Sequence, residues 1–343
     1  MITGLYLDVW AHRNLGIVET FFTVWHAAFY SGFMATGLWL VVNIMRLTRQ
    51  AGERRLIIPI GYDTAVIGFA VLGAGGFFDL VWHTIRGIEQ SLEALMSPPH
   101  LTLMVGGALI LSAPFRAAWL SSNDRTPSYR AFSPAVASLA LAISMVTLFM
   151  MFHWGFETLD FATAEGRVRF ARSFVDTDEG RRRLELLTMT RGYTNIMLSN
   201  LVLFGPVLIV LRRWRPPIGT VATFFGVVST YMAGLLTFYP WEWIPVAVVV
   251  GLAIDLMIHR LQPAPNRVGA FRAIAIAAPV LLWAVYFALV HSRFKVVWPT
   301  EVWVGTIIWS GVMGWGLSLL AAPFAEPAAT TLTASRPDTR PAR

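Results

Sequence analysis

Residues 78–107 read FDLVWHTIRGIEQSLEALMSPPHLTLMVGG and set Asp79, His83, Glu89, Glu93 and His100 between two long apolar runs. Ionisable side chains at membrane depth are costly, so they mark places where an ion, a proton or a partner is held. The stretch has an echo at 7–32, LDVWAHRNLGIVETFFTVWHAAFYSG. Asp8-x3-His12-x3-Gly16 matches Asp79-x3-His83-x3-Gly87 at an offset of 71. Glu19-x6-His26-x5-Gly32 matches Glu93-x6-His100-x5-Gly106 at an offset of 74, so one three-residue insertion relates the copies. An internal repeat of Asp, His, Glu and His in a chain with only seven histidines points to metal.

The composition around this stretch is that of a membrane protein. Of 343 residues, 56% are hydrophobic and 14% charged, against about 25% charged in a soluble domain. There is no cysteine, which excludes disulfides, iron–sulfur clusters and thiolate zinc sites and leaves His, Asp, Glu and Asn as ligands. The net charge of +7 does not argue for nucleic acid, because the arginines sit in short loops between apolar runs. MITGLYLDVW has neither a basic start nor a cleavage site, so no cleaved signal is expected.

Nine runs are long enough to span a bilayer, near 16–45, 57–83, 100–121, 133–154, 193–212, 217–240, 241–259, 271–292 and 303–323. They lack two-residue alternation, so the expected fold is an all-α polytopic bundle of about nine helices. Residues 1–323 form one transmembrane domain, with an amphipathic helix at 156–192 lying on the outer surface and a disordered cytoplasmic tail at 324–343. Glycines such as Gly75, Gly76, Gly106 and Gly107 would let helices approach closely.

Arginine placement orients the bundle. Arg46, Arg49, Arg54 and Arg55 follow the first run, and Arg116, Arg125 and Arg130 the third. Arg212, Arg213 and Arg215 follow the fifth, and Arg260, Arg267 and Arg272 the seventh, while the alternate short loops are poorer. By the positive-inside rule the N-terminus is outside and the C-terminus cytoplasmic, in a bacterial inner (plasma) membrane. Six of the seven histidines (His12, His26, His83, His100, His153 and His291) then fall on the outer side, leaving His259 in the cytoplasm.

Asp79 and His83 are one helical turn apart, and the Pro98-Pro99 break sets His100 in the first turn of the next helix. Two imidazoles and a carboxylate suit copper, iron or zinc, with Asp79 either a ligand or a group orienting His83. In the other copy Glu19 and His26 are expected on one face of the first helix, with His26 about 15 Å below its outer end. The expected metal set is therefore Asp79, His83, His100, His26, His12, Asp8, Glu19, Glu93 and His153. Asn195 and Asn200 offer amide oxygens, and Asp63 and Asp255 lie toward the cytoplasmic side.

The pattern Asp79-x3-His83…Ser97-Pro98-Pro99-His100 resembles the copper-binding segment in the C subunit of the particulate methane and ammonia monooxygenases. The resemblance covers about thirty residues. It implies that Asp79, His83 and His100 are copper ligands near an oxygen-activating site, which favours copper over iron or zinc. The expected protein is then a copper-dependent oxidoreductase acting on a small apolar substrate that enters from membrane lipid, with further membrane subunits or copies of itself as partners. A metal transporter or metal-insertion factor is the first alternative. A haem-b electron carrier is the second, since His12 and His26 are 14 residues apart.

Overall fold

The structure, a computed structural model, describes residues 1–15, 22–87, 89, 92–121, 124–158, 162–164, 166, 177–238 and 241–322. These form α1 (Ile2–Asn14), α2 (Val24–Ala51), α3 (Asp63–Arg86), α4 (Leu92–Met96), α5 (Pro98–Ser121) and α6 (Tyr129–Phe149). Two single turns at 151–158 are followed by α7 (Asp178–Arg213), α8 (Thr220–Leu235), α9 (Trp243–Leu261), α10 (Val268–Arg293) and α11 (Thr300–Ala321). The described residues contain no strand, only two isolated bridges. Eight helices, α2, α3, α5, α6, α7, α9, α10 and α11, are long and apolar enough to cross a membrane.

Three boundaries differ from those expected of the sequence. The first long helix begins at Val24, because the Thr23 hydroxyl accepts the His26 backbone N–H at 3.1 Å and caps it there. Residues 2–14 form the separate helix α1, packed antiparallel on α2 where Gly4 leaves no room for a Cβ against the Ala28 backbone. The run near 217–240 yields α8, whose 16 residues rise only about 24 Å. Residues 178–192 do not lie flat as a surface helix; they are the opening turns of the 36-residue α7. The intervening 167–176 and the tail 324–343 lie outside the described residues.

Two buried polar residues hold helices in register. Pro114 interrupts α5, and the Ser138 hydroxyl of α6 inserts one residue further on. It accepts the Phe115 N–H at 3.0 Å and donates to the Leu111 carbonyl at 2.5 Å, replacing a helical bond. Asp255 of α9 does similar work for α8, which begins at Gly219 with no side chain to cap it. The carboxylate accepts N–H bonds from Gly219, Val221 and Ala222 at 2.9–3.1 Å.

Close packing brings the helix ends to common levels. The C-terminal ends of α1, α3 and α6 meet the N-terminal ends of α2 and α5 at one end of the bundle. His12, His26, His83, His100, His153 and His291 all belong to this end, while His259 closes α9 at the other. At that opposite end Arg116 pairs with Asp63 at 2.9 Å, an exposed bridge.

Candidate metal centre

Two helix hairpins each assemble one aspartate and two histidines. In the first, Asp8 and His12 are one turn apart on α1, and His26 comes from the first turn of α2. His26 Nε2 lies 3.5 Å from Asp8 Oδ2, and His12 Nε2 lies 3.9 Å from Asp8 Oδ1. In the second, Asp79 and His83 end α3 and His100 opens α5. Here both Nε2 atoms meet a single oxygen, Asp79 Oδ1, at 3.3 Å from His83 and 3.2 Å from His100. Within each trio one donor atom per residue falls within 4.8 Å of the others, the span an ion would bridge.

The opposite ring nitrogens say which way these imidazoles are protonated. His83 Nδ1 is 3.0 Å from the Gly87 carbonyl, and His100 Nδ1 contacts the Ala94 carbonyl and, at 2.8 Å, the Ser97 hydroxyl. A carbonyl only accepts, so each Nδ1 donates, and in the neutral ring each Nε2 turns a lone pair toward Asp79. Lone pairs facing a carboxylate at 3.2–3.3 Å repel unless a proton or cation is shared among them. His26 has its Nδ1 3.0 Å from the Thr23 hydroxyl, which can donate or accept, and its Nε2 toward Asp8.

Burial sharpens that demand. Asp79 is 1% exposed and Asp8 6%, and the Oδ1 atom of each is buried without a hydrogen bond. Removing a carboxylate from water costs several kcal/mol unless charge or hydrogen bonds compensate. Burial, with the Asp79 charge nearby, pushes the Asp8 carboxyl up to about 7. Burial and the neighbouring His100 and His83 hold His12 below its ordinary value, in the neutral form that ligates metal.

Both trios line one cavity of about 400 Å³. Leu103, Met145, Phe149 and Phe152 give it an apolar wall. Glu89 also reaches it: Trp82 Nε1 donates to Oε1 at 3.1 Å, and Oε2 is buried without a hydrogen bond.

Of the nine residues expected at the site, six come together: Asp8, His12, His26, Asp79, His83 and His100. Glu19 lies outside the described residues. Glu93 is exposed on α4 and does not line the cavity, because five helical residues turn it away while Glu89 points in. His153 sits in the turn after α6, facing Asn195 Oδ1 at 3.2 Å and outside the cavity. His26 is in the first turn of its helix rather than deep within the bundle, since Thr23 starts that helix. Asn200 accepts the Trp283 indole N–H at 2.7 Å, a packing contact.

Glu89 is the residue that spacing alone passed over; its signal lay in being an acid four residues before Glu93 in the same loop. Two further matches at the same offsets also acquire meaning: Thr23 with Ser97, and Gly4 with Gly75.

No protein-family model matches the chain, and no curated protein and no solved structure matches it either. Fold and site together define a multi-pass helical membrane protein with two Asp/His/His groups whose geometry can hold metal.

Proposed function

We propose that this chain is a membrane metalloprotein that binds copper, in preference to iron or zinc, in its Asp/His/His trios and serves as an oxidoreductase for a small apolar substrate. The observation that carries the reading is Asp79 Oδ1, buried and facing the Nε2 atoms of His83 and His100 at 3.3 and 3.2 Å. Three donor atoms converging on one buried point suit a cation shared among them. The preference for copper rests on the likeness of this segment to the C subunit of the copper membrane monooxygenases, since the nitrogen-and-oxygen donor set by itself suits copper, iron or zinc alike.

Copper bound here would supply one-electron redox chemistry. The chain's own residues do the rest. Gly87 and Ala94 fix the tautomers of His83 and His100 through their carbonyls, and Asp79 brings the negative charge. The wall of Leu103, Phe149 and Phe152 offers an apolar substrate a surface while limiting water. Glu89, held by Trp82, is placed to accept or return a proton inside the cavity. In this reading the histidine end of the bundle faces outward from a bacterial inner membrane, as the arginine-poor loops suggest.

The structure gives less support to the other two classes. A transport path would need ionisable groups continuing across the bundle, yet Asp255 is taken up by α8 and Asp63 by Arg116. For haem, the two imidazoles of each trio lie against a shared aspartate, a carboxylate that axial haem ligation does not call for.

The test is elemental analysis of protein purified in detergent without added metal, beside His83→Ala and His100→Ala. Copper is expected in the wild type and is reduced in both variants. A protein that carries no transition metal and takes none up from cupric chloride would end this reading.

A further inference from the structure

We infer that the two trios work as one two-ion centre, with a small ligand bound between the ions, and not as two separate sites; this rests on the metal reading above and deepens it. The argument is geometric, and begins with how alike the two hairpins are. Each has an Asp-x3-His at the end of one helix and a hydroxyl-x2-His opening the next: Thr23 with His26, Ser97 with His100. In each, the hydroxyl contacts Nδ1 and leaves Nε2 for the aspartate.

The likeness extends to backbone contacts far from any ligand. A Cβ on Gly32 would strike the backbone of Met1, and a Cβ on Gly106 would strike that of Leu72. Met1 and Leu72 are themselves 71 residues apart, the offset that relates Asp8 to Asp79. Gly4 likewise meets the backbone of Ala28 and Phe29, and Gly75 meets Thr102 and Leu103, at 3.2 Å in the latter case. Each glycine and each neighbour is displaced by the same 71 or 74 residues. Equivalent contacts at equivalent positions place each trio at the same height on its own hairpin.

One residue joins the two. Tyr30 of α2 lies stacked on His26 with ring centroids 6.5 Å apart, and its hydroxyl reaches the α3 backbone at Gly76. Gly76 is one turn before Asp79, and a Cβ there would sit 2.9 Å from the Tyr30 oxygen, so the glycine lets that ring lie close against α3. A single side chain thus spans from a histidine of one trio to the helix carrying the aspartate of the other. The donor atoms of both face one cavity of about 400 Å³. Three protein donors per ion would leave room for a further ligand on each, and both trios line that shared space. A water, hydroxide or other small anion is the class of ligand it would take, which is how paired ions commonly act on one substrate.

The experiment is titration of chelator-stripped, detergent-purified full chain with cupric chloride, followed by copper stoichiometry and electron paramagnetic resonance. The expected result is two ions per chain, with a spectrum broadened or diminished by coupling between the spins and altered by azide. In Asp79→Asn/His100→Ala, and separately in Asp8→Asn/His12→Ala, one ion should remain with a sharp, uncoupled spectrum. The wild-type measurement stands even where a variant fails to fold. Two ions with the full intensity of isolated cupric centres would overturn the paired centre while leaving the metal reading intact. A single ion per wild-type chain would overturn it as well. Failure to bind any copper would remove both.

Discussion

A carboxylate that is 1% exposed and meets two imidazole nitrogens through one oxygen can either ligate metal or orient its ligands. The geometry favours ligation, since both Nδ1 atoms already have acceptors and need no orienting by Asp79. Asp79→Asn keeps the shape and an acceptor oxygen but removes the charge. Loss of a group that only orients a ligand costs about 10–100-fold in affinity; loss of a ligand also alters the coordination sphere. X-ray absorption of the copper-loaded variant should therefore differ from wild type, and an unchanged spectrum with weaker binding would make Asp79 an orienting group. Asp8 gives a pH signature. Its carboxyl titrates near 7, above the ordinary carboxylate range, because burial favours the protonated form. Metal needs the ionised form, so binding at the Asp8 trio releases a proton below pH 7 and weakens as pH falls, by about tenfold per unit. Without metal the sign for stability is opposite: the native state holds this proton where the unfolded chain has lost it, so Asp8 destabilises the apo fold as pH rises toward 7. Copper affinity measured between pH 5.5 and 8 should rise and then flatten near 7; a flat profile would show that Asp8 does not bind.

At the scale of the helix, Asp255 offers the clearest test. It satisfies three N–H groups at the start of α8, a helix too short and too poorly capped by its own sequence to hold its end in place. Asp255→Ala leaves those donors buried, at about 1–3 kcal/mol for each one not rescued by water. The thermal midpoint in detergent should drop by at least about 5 °C, with copper content per folded chain unchanged. A drop in copper without loss of stability would return Asp255 to a role in ion or proton movement. The same scale shows what the sequence could reveal. Apolar runs located the long helices, since a bilayer selects for length and hydropathy. The start of α2 was hidden, because residues 16–45 read as one predominantly apolar run and the Thr23 hydroxyl is what marks the cap. The extension of α7 was hidden for the converse reason. Its opening turns are charged, but Arg181 with Asp178 and Arg183 with Glu179 pair along the helix and let it continue. At the site, Asp-x3-His was legible because helical spacing fixes which residues share a face. Glu93 misled because the match to Glu19 crosses a loop, where spacing fixes nothing.

For the molecule as a whole, the open matter is which way the histidine end faces. Contacts within the bundle place His12, His26, His83, His100, His153 and His291 together but give no direction across a membrane. Direction comes from the loops. The turn after α2 carries Arg54 and Arg55, and the turn before α6 carries Arg125, all at the end opposite the metal groups. Short basic loops stay in the cytoplasm, so the metal groups should open to the outside. The chain has no cysteine, so single substitutions report cleanly. Arg182→Cys lies on the exposed opening turns of α7, at the histidine end, and Glu53→Cys is exposed at the other. In intact cells a membrane-impermeant maleimide should label Arg182→Cys, and Glu53→Cys only after permeabilisation. The reverse pattern would turn the cavity to the cytoplasm, where copper is held at very low free concentration by competing thiols. A site without thiolates would then compete poorly for it, and zinc or iron would become the better occupant of the same six side chains. The labelling thus bears on the metal as well as the topology, because the side on which the site opens decides what it can draw upon.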